Sequence, residues 1–304
     1  MNRRQFLYTA SAALANAAPK NPTIDTHIHL FADDQKRFPY HKDATYKPPT
    51  APLEPYNAFV RQAGIDHTVI IHPEPYQDDH SYLEYCFANE PSPNFFKGVC
   101  LFDPIRSDTG DRMADLVKRN PGRIKALRIH TNRNKGVAPT TSGPIRDRDL
   151  NHPMIRTNIR RAHDLGLGIQ MHFIPLHAPE IANLAREFSK TPFILDHLAR
   201  SGFGTPEQYE DVLAMSKLGN VYMKFSGVGY SSKQDPPHPD VKPLVRRTFD
   251  AFGPGHMIWG GLGQTMADWK KAQAVFDTHL GFASEQDRAQ IRGLTAAKLF
   301  GWNS

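Results

Sequence analysis

Residues 193–218, FILDHLARSGFGTPEQYEDVLAMSKL, hold one complete structural unit. An apolar run with β-type composition (193–197) leads through a turn to an amphipathic helical run that opens at Pro206 and stops at Gly219. Proline in the first turn and glycine just past the last are the ordinary limits of a helix. The unit recurs along the chain. Strand-type runs fall at 23–30, 68–72, 96–102, 124–130, 168–173, 193–197, 221–226 and 257–259. Helical runs lie between them at 52–63, 78–88, 111–119, 152–165, 179–188, 206–218, 239–252 and 266–280. A further run, 284–299, opens with Ser284-x-x-Asp287, a loose capping box. Eight strands alternating with eight helices predict a closed parallel (β/α)8 TIM barrel. An open doubly wound sheet is the alternative, but it would want a glycine-rich phosphate turn after the first strand, and none is there. The polar insert 32–52 is too long for an ordinary connection and is expected to cover the barrel mouth.

Composition narrows the function classes. Of 304 residues, 39% are hydrophobic, enough for a sizeable core. The formal charge is +6, but basic residues alternate with acids, as in Arg146-Asp147-Arg148-Asp149, so nucleic acid is not the expected partner. The stretch 123–135 is the one locally basic segment. No apolar run reaches the roughly 18 residues of a membrane span. Cys86 and Cys100 are expected to be packed thiols. The N-terminus, MNRRQFLYTASAALANAAP, carries paired arginines, Phe6-Leu7, and an Ala15-Asn16-Ala17 cleavage pattern. It is expected to be a twin-arginine export signal over 1–17, ahead of a single domain 18–304 released to the periplasm or beyond. A frayed helix is the other reading.

Chemistry collects at the strand ends. His27 and His29 alternate with Ile28, so both imidazoles share one face, with Asp25 below them. They stand at the carboxyl end of the first strand, where barrel active sites are built. His72, His130, His172 and His197 close later strands, and Asp103 follows the third. Packing alone gives little reason for several histidines at one end, because buried imidazoles need partners. A metal or an anionic substrate does. Asp196 alternates with His197 and is expected to face away from the barrel interior.

Asp25-x-His27-x-His29, His172 and "LDHLAR" on the sixth strand resemble the amidohydrolase superfamily, in its amidohydrolase-related branch of sugar-lactone hydrolases, 2-pyrone-4,6-dicarboxylate lactonase and aromatic-acid decarboxylases. "KALRIH" on the fourth strand and the C-terminal "LTAAKLFGW" extend the likeness over about 23–301. The resemblance implies His27, His29 and His172 as ligands of a divalent metal, zinc or manganese, with a metal-free site as the alternative. It implies His197 as the group that polarises the substrate. Arg128 and Arg200 are implied carboxylate holders, suited by bidentate guanidinium geometry to an acidic lactone. His130 is expected in the substrate wall. The expected partner is a small acidic molecule, and self-association is the one macromolecular contact left open.

Strand eight departs from the family. Where an aspartate is usual, this chain reads "WGGLGQ", which puts Leu262 in its place. Leucine can neither bind a metal nor take a proton from water. Glu74, after strand two, is the expected substitute base. Gly261 and Gly263 are expected to let the backbone approach something closely or turn left-handed. Lactone hydrolysis leads. The alternatives are decarboxylation, with Phe31, Tyr76 and Phe173 as aromatic walls, and a barrel that binds a small acid without turning it over.

Overall fold

The computed structural model describes residues 21–133 and 147–302. The expected export segment and Lys135 lie outside the described residues. Eight strands follow one another in order, each parallel to the next: β1 Ile24–Ile28, β2 His67–Ile71, β3 Phe96–Leu101, β4 Ile124–Thr131, β5 Gly168–Phe173, β6 Phe193–Leu195, β7 Val221–Phe225 and β8 Met257–Trp259. Helices α1 Leu53–Ala63, α2 Ser81–Ala88, α3 Thr109–Arg119, α4 Pro153–Asp164, α5 Ala178–Glu187, α6 Pro206–Ala214, α7 Lys242–Phe252 and α8 Met266–Leu280 return the chain between them. This is the (β/α)8 barrel. β8 reaches β1 through side chains: Thr26 Oγ1 donates to the Trp259 carbonyl (2.7 Å) and Gly261 N–H donates to Asp25 Oδ1 (2.9 Å). Gly260 permits the closure, since a Cβ there would sit 2.8 Å from His27 Cβ.

Local signals match these elements. α1 ends at Gly64 in the left-handed region, φ 68°. Thr205 and Gln208 form a reciprocal capping box on α6. The closing helical run breaks into a π turn at Gln290–Leu294, where Gly293 packs against the Pro22 carbonyl with no room for a side chain. Cys86 and Cys100 are buried free thiols. Arg123, in the basic stretch, is paired with Glu90.

The strands have two faces of opposite character. Phe193, Leu195, Met223, Phe225, Met257 and Trp259 join the apolar layer between sheet and helices. Alternating residues Ile24, Val69, Ile71, Val99, Ala126, Ile194 and Ile258 form a second apolar cluster inside the barrel, floored by Ala296, Phe300 and Trp302. Above that floor the same inward face carries Arg128, Gln170, Asp196 and Lys224, all buried. Period two therefore makes the lumen apolar at the bottom and ionic higher up.

β1 breaks the period. Ile24 pairs with His67 and Asp25 with Thr68, but Ile28 pairs with Ile70. Three steps on β1 match two on β2, so one extra residue is bulged. The bulge lets Ile24 join the floor while His27 and His29 turn into the cavity above and Ile28 packs outward. Asp25 turns to backbone, accepting from His27 N–H (2.9 Å) and Gly261 N–H. The insert closes on itself through an antiparallel Phe31–Ala51 bridge and brings Thr45 and Tyr46 to the mouth, as expected of a cover.

Candidate active site

A cavity of about 510 Å3 opens at the carboxyl ends of the strands. His27, His29, Arg128, His130, His172 and His197 line its base, and Glu74, Tyr46, Tyr230 and Leu262 its sides. The expected residues are thus brought together, apart from Arg200. That guanidinium donates to Asn132 Oδ1 (2.7 Å) and lies against the rings of Phe203 and Tyr230, behind the lining. Asn132 and Arg133 line the wall instead, with Arg133 paired to Asp147 at 2.9 Å.

Three other expectations need correction. His72 faces the helix layer, bonding the Gln77 carbonyl (3.0 Å) and stacking on His80. Asp103 is held by Arg148 at 2.8 Å. Asp196 faces the lumen, because β6 ends at Leu195 and Ile194 already points inward. His197 still reaches the cavity, although it follows Asp196 directly. The chain from His197 to Arg200 is left-handed, with φ between 50° and 56° at all four residues. That turn rotates His197 back inward. Left-handed backbone costs roughly 1–2 kcal/mol per non-glycine residue. Burial of Leu198 and Ala199 and the His197–Ser226 Oγ bond (2.8 Å) hold it in place. Gly227 makes room, since a Cβ there would lie 2.8 Å from His197 Nδ1.

Asp196 is the hub beneath the imidazoles. Its Oδ2 accepts from Arg128 Nε (3.0 Å) and Nη2 (2.8 Å) and from Gln170 Nε2 (3.1 Å). Its Oδ1 lies 3.1 Å from Lys224 Nζ, an ionic contact off the hydrogen-bonding direction. Burial pushes its carboxyl up, but Lys224 and Arg128 hold it well below the usual range. Lys224 was not singled out in the sequence. Its signal is the pattern VYMKFS, with Val221, Met223 and Phe225 packing outward and Lys224 alone charged on the inward face.

Burial keeps the imidazoles neutral. His29 is pushed down to about 4, with Arg128 adding to the effect. His130 and His197 are pushed down to about 3, and His27 and His172 well below their ordinary value. At pH 7 the base of the cavity is a group of uncharged rings beside the Arg128 cation.

A sequence model of the amidohydrolase family matches residues 24–302. The chain belongs to the amidohydrolase family. This amidohydrolase is 29% identical to a 4-sulfomuconolactone hydrolase of Rhizobium radiobacter over 85% of its length and 79% of the relative's. It is 28% identical to an L-fucono-1,5-lactonase of Burkholderia ambifaria, over 81% and 79% of the two chains. Its fold is similar to a probable 2-pyrone-4,6-dicarboxylic acid hydrolase of Acinetobacter baumannii with citric acid bound, at TM-score 0.74 and 18% identity, covering 93% of this chain and 100% of that one. It is also similar to a zinc-bound amidohydrolase of Burkholderia multivorans, at TM-score 0.69 and 13% identity, covering 92% and 99%.

The donors present fit a metal only in part. His27 Nε2 and His29 Nε2 are 3.4 Å apart, the spacing of two nitrogens on one tetrahedral ion. His29 Nδ1 donates to the Ile71 carbonyl (2.8 Å), which leaves its Nε2 lone pair inward. The third expected ligand does not complete the set. Arg128 Nη2 lies 3.1 Å from His172 Nδ1, and a guanidinium can only donate. Neutral His172 therefore carries its hydrogen on Nε2 and is a donor there. The one group of three metal-type ligands found within 4.8 Å, among the described residues, is His27, Asp196 and His197, and Lys224 Nζ stands against two of them. The expected three-histidine site is not assembled.

Leu262 lies three residues beyond the end of β8, 39% exposed between the main cavity and a second of about 270 Å3. Left-handed backbone occurs at Leu262 itself, φ 58°. The flanking glycines serve close approach: a Cβ on Gly261 would lie 2.9 Å from Asp25 Oδ2, and one on Gly263 2.8 Å from Asp268 Cβ. Phe31, Tyr76 and Phe173 are core residues, and the aromatic lining consists of Tyr46 and Tyr230. Decarboxylation thus loses all three of its expected walls.

Proposed function

We propose that this amidohydrolase hydrolyses the lactone of a small anionic acid. The observation that carries the reading is the joining of Arg128 and His172 at one wall of the cavity. Arg128 fixes His172 with Nε2–H as its donor, and both side chains line the same space. A lactone carbonyl placed there meets preorganised donors where negative charge develops in the tetrahedral intermediate. Neutral rings suit this task, since they donate without requiring an acid pH. The chemistry named for two curated relatives, opening of a sulfomuconolactone and of a sugar lactone, supports the same reaction class.

Water needs a base. Glu74 lines the cavity, held by Thr45 Oγ1 on Oε2 (3.0 Å) and Gln77 Nε2 on Oε1 (2.9 Å). Glu74 takes a proton from the water as the water oxygen bonds to the carbonyl carbon, and returns it to the ring oxygen, which leaves as the alcohol when its bond to the carbonyl carbon breaks. Arg128 and Arg133 make the wall suited to a carboxylate or sulfonate on the substrate. No step is routed through zinc or manganese, because the third ligand is not supplied. The twin-arginine segment supports the further reading that the enzyme works outside the cytoplasm.

A panel of carboxylated, sulfonated and neutral sugar lactones, followed by acid release with and without added zinc, tests the reading. Turnover of an anionic lactone is expected. Absence of turnover across the panel in both conditions, together with ligand-induced thermal stabilisation, would establish the non-catalytic binding barrel instead.

A further inference from the structure

Lys224 sits where a metal site should have its supporting carboxylate. A histidine that ligates a metal through Nε2 ordinarily donates Nδ1–H to a carboxylate or carbonyl, which fixes the tautomer. In this barrel, His27 Nδ1 is 3.3 Å from the Lys224 ammonium, closer than the 3.6 Å to Asp196 Oδ1. Lys224 Nζ also donates to the Thr26 carbonyl at 3.0 Å and faces Asp196 Oδ1 at 3.1 Å. It is fully buried. The Thr26 carbonyl and His27 Nδ1 thus accept from the ammonium, and Asp196 Oδ1 faces it as an ionic partner.

The tautomers follow in sequence. Lys224 donates to His27 Nδ1, so neutral His27 carries its hydrogen on Nε2. His29 donates Nδ1–H to the Ile71 carbonyl, so its Nε2 is an acceptor. The His27–His29 contact of 3.4 Å is then a weak donor–acceptor pair rather than two lone pairs facing each other. To ligate an ion through Nε2, His27 would have to move its hydrogen to Nδ1 and point it at the ammonium.

We infer that Lys224 is a resident cation that takes the place of a divalent ion in this barrel, converting the His27–His29 motif from a ligand pair into a hydrogen-bonded chain. Asp196, which could have backed a metal ligand, is instead the counter-charge shared by Lys224 and Arg128. Lys224 is a positioning residue, acting on the cavity through His27. The inference does not depend on the substrate, so it stands or falls separately from lactone hydrolysis.

The test reads metal and tautomer, not turnover. Wild type and Lys224→Gln are purified, stripped with chelator and titrated with zinc, with bound zinc measured per chain. Histidine nitrogens labelled with 15N report in parallel which ring atom carries hydrogen. The wild type is expected to show His27 with hydrogen on Nε2 and to keep it in excess zinc. Lys224→Gln is expected to bind zinc at least tenfold more tightly. A wild type that takes one zinc per chain with loss of the His27 Nε2 hydrogen would overturn the inference, as would equal zinc affinity in the two proteins. If Lys224→Gln does not fold, the wild-type tautomer and zinc titration decide it alone.

Discussion

Asp196→Asn is the most informative single change to the ionic layer. It keeps the shape of the side chain and removes one charge. Asp196 contacts Arg128 Nη2 at 2.8 Å and Lys224 Nζ at 3.1 Å, with every partner at least nine-tenths buried. At an effective dielectric constant of about 20, one pair of unit charges 3 Å apart is worth roughly 5 kcal/mol. Two such contacts, less the desolvation of the three groups, leave a much smaller net. The Asn oxygen can still accept from Arg128 and Gln170, but its amide hydrogens then face the Lys224 ammonium. Breaking a buried pair on one side costs about 3–5 kcal/mol. Urea unfolding followed by far-UV circular dichroism measures the loss, with thermal scans expected to show a drop of roughly 6–15 °C. Adding Lys224→Met should recover a large part of it, because the unpaired ammonium is then gone and a side chain of similar length fills the space. A single-variant loss under about 1 kcal/mol, or a double variant less stable than the single, would refute the placement of Asp196 as the hub.

Stability should depend on pH with a known sign. His29, His130 and His197 have folded values near 4, 3 and 3, below the ordinary 6.5. Above pH 6.5 both states are neutral, but below it the unfolded chain gains protons that the folded one refuses. Stability is therefore lost as pH falls from 6.5 toward 4, on the order of 3 kcal/mol for His29 alone. Asp25, raised from 3.8 to about 6, works the other way, its contribution weakening as pH rises between those values. The imidazoles outnumber it, so urea midpoints should fall steeply below pH 6; a midpoint flat from pH 7 to 4 would contradict the neutral-ring picture. Glu74→Gln should lower kcat by about 10²–10⁴-fold with little change in KM, while an unchanged kcat would remove Glu74 as the base. Leu262→Gly relieves the φ of 58° and removes a partly exposed side chain. Its stability should stay within about 1 kcal/mol of wild type, and joining the two cavities should admit bulkier lactones. A loss above about 2 kcal/mol would show Leu262 to be a packing residue.

The barrel could be read from the chain because its signals are local. Eight apolar runs, each followed by a helix with its own punctuation, need no distant information. His27, His29, His130, His172 and His197 were visible as strand-end histidines for the same reason. The misplacing of Asp196 has one cause, which is that a face was inferred from period two without its interruptions. The bulge in β1 and the left-handed turn after β6 each change the direction of side chains within one residue. These features put His27 above the apolar floor and bring both Asp196 and His197 to the site, although they are adjacent in the chain. Lys224 was hidden differently. One lysine in an apolar strand has no partner in its own segment, and its meaning depends on Asp196 and His27, 28 and 197 residues away by subtraction of their positions. Sequence alone determined the fold, the end of the barrel that carries the chemistry, and the family. Only the tertiary structure decided which hydrogens those histidines carry, because tautomers are set by the donors and acceptors that long-range packing places against each ring.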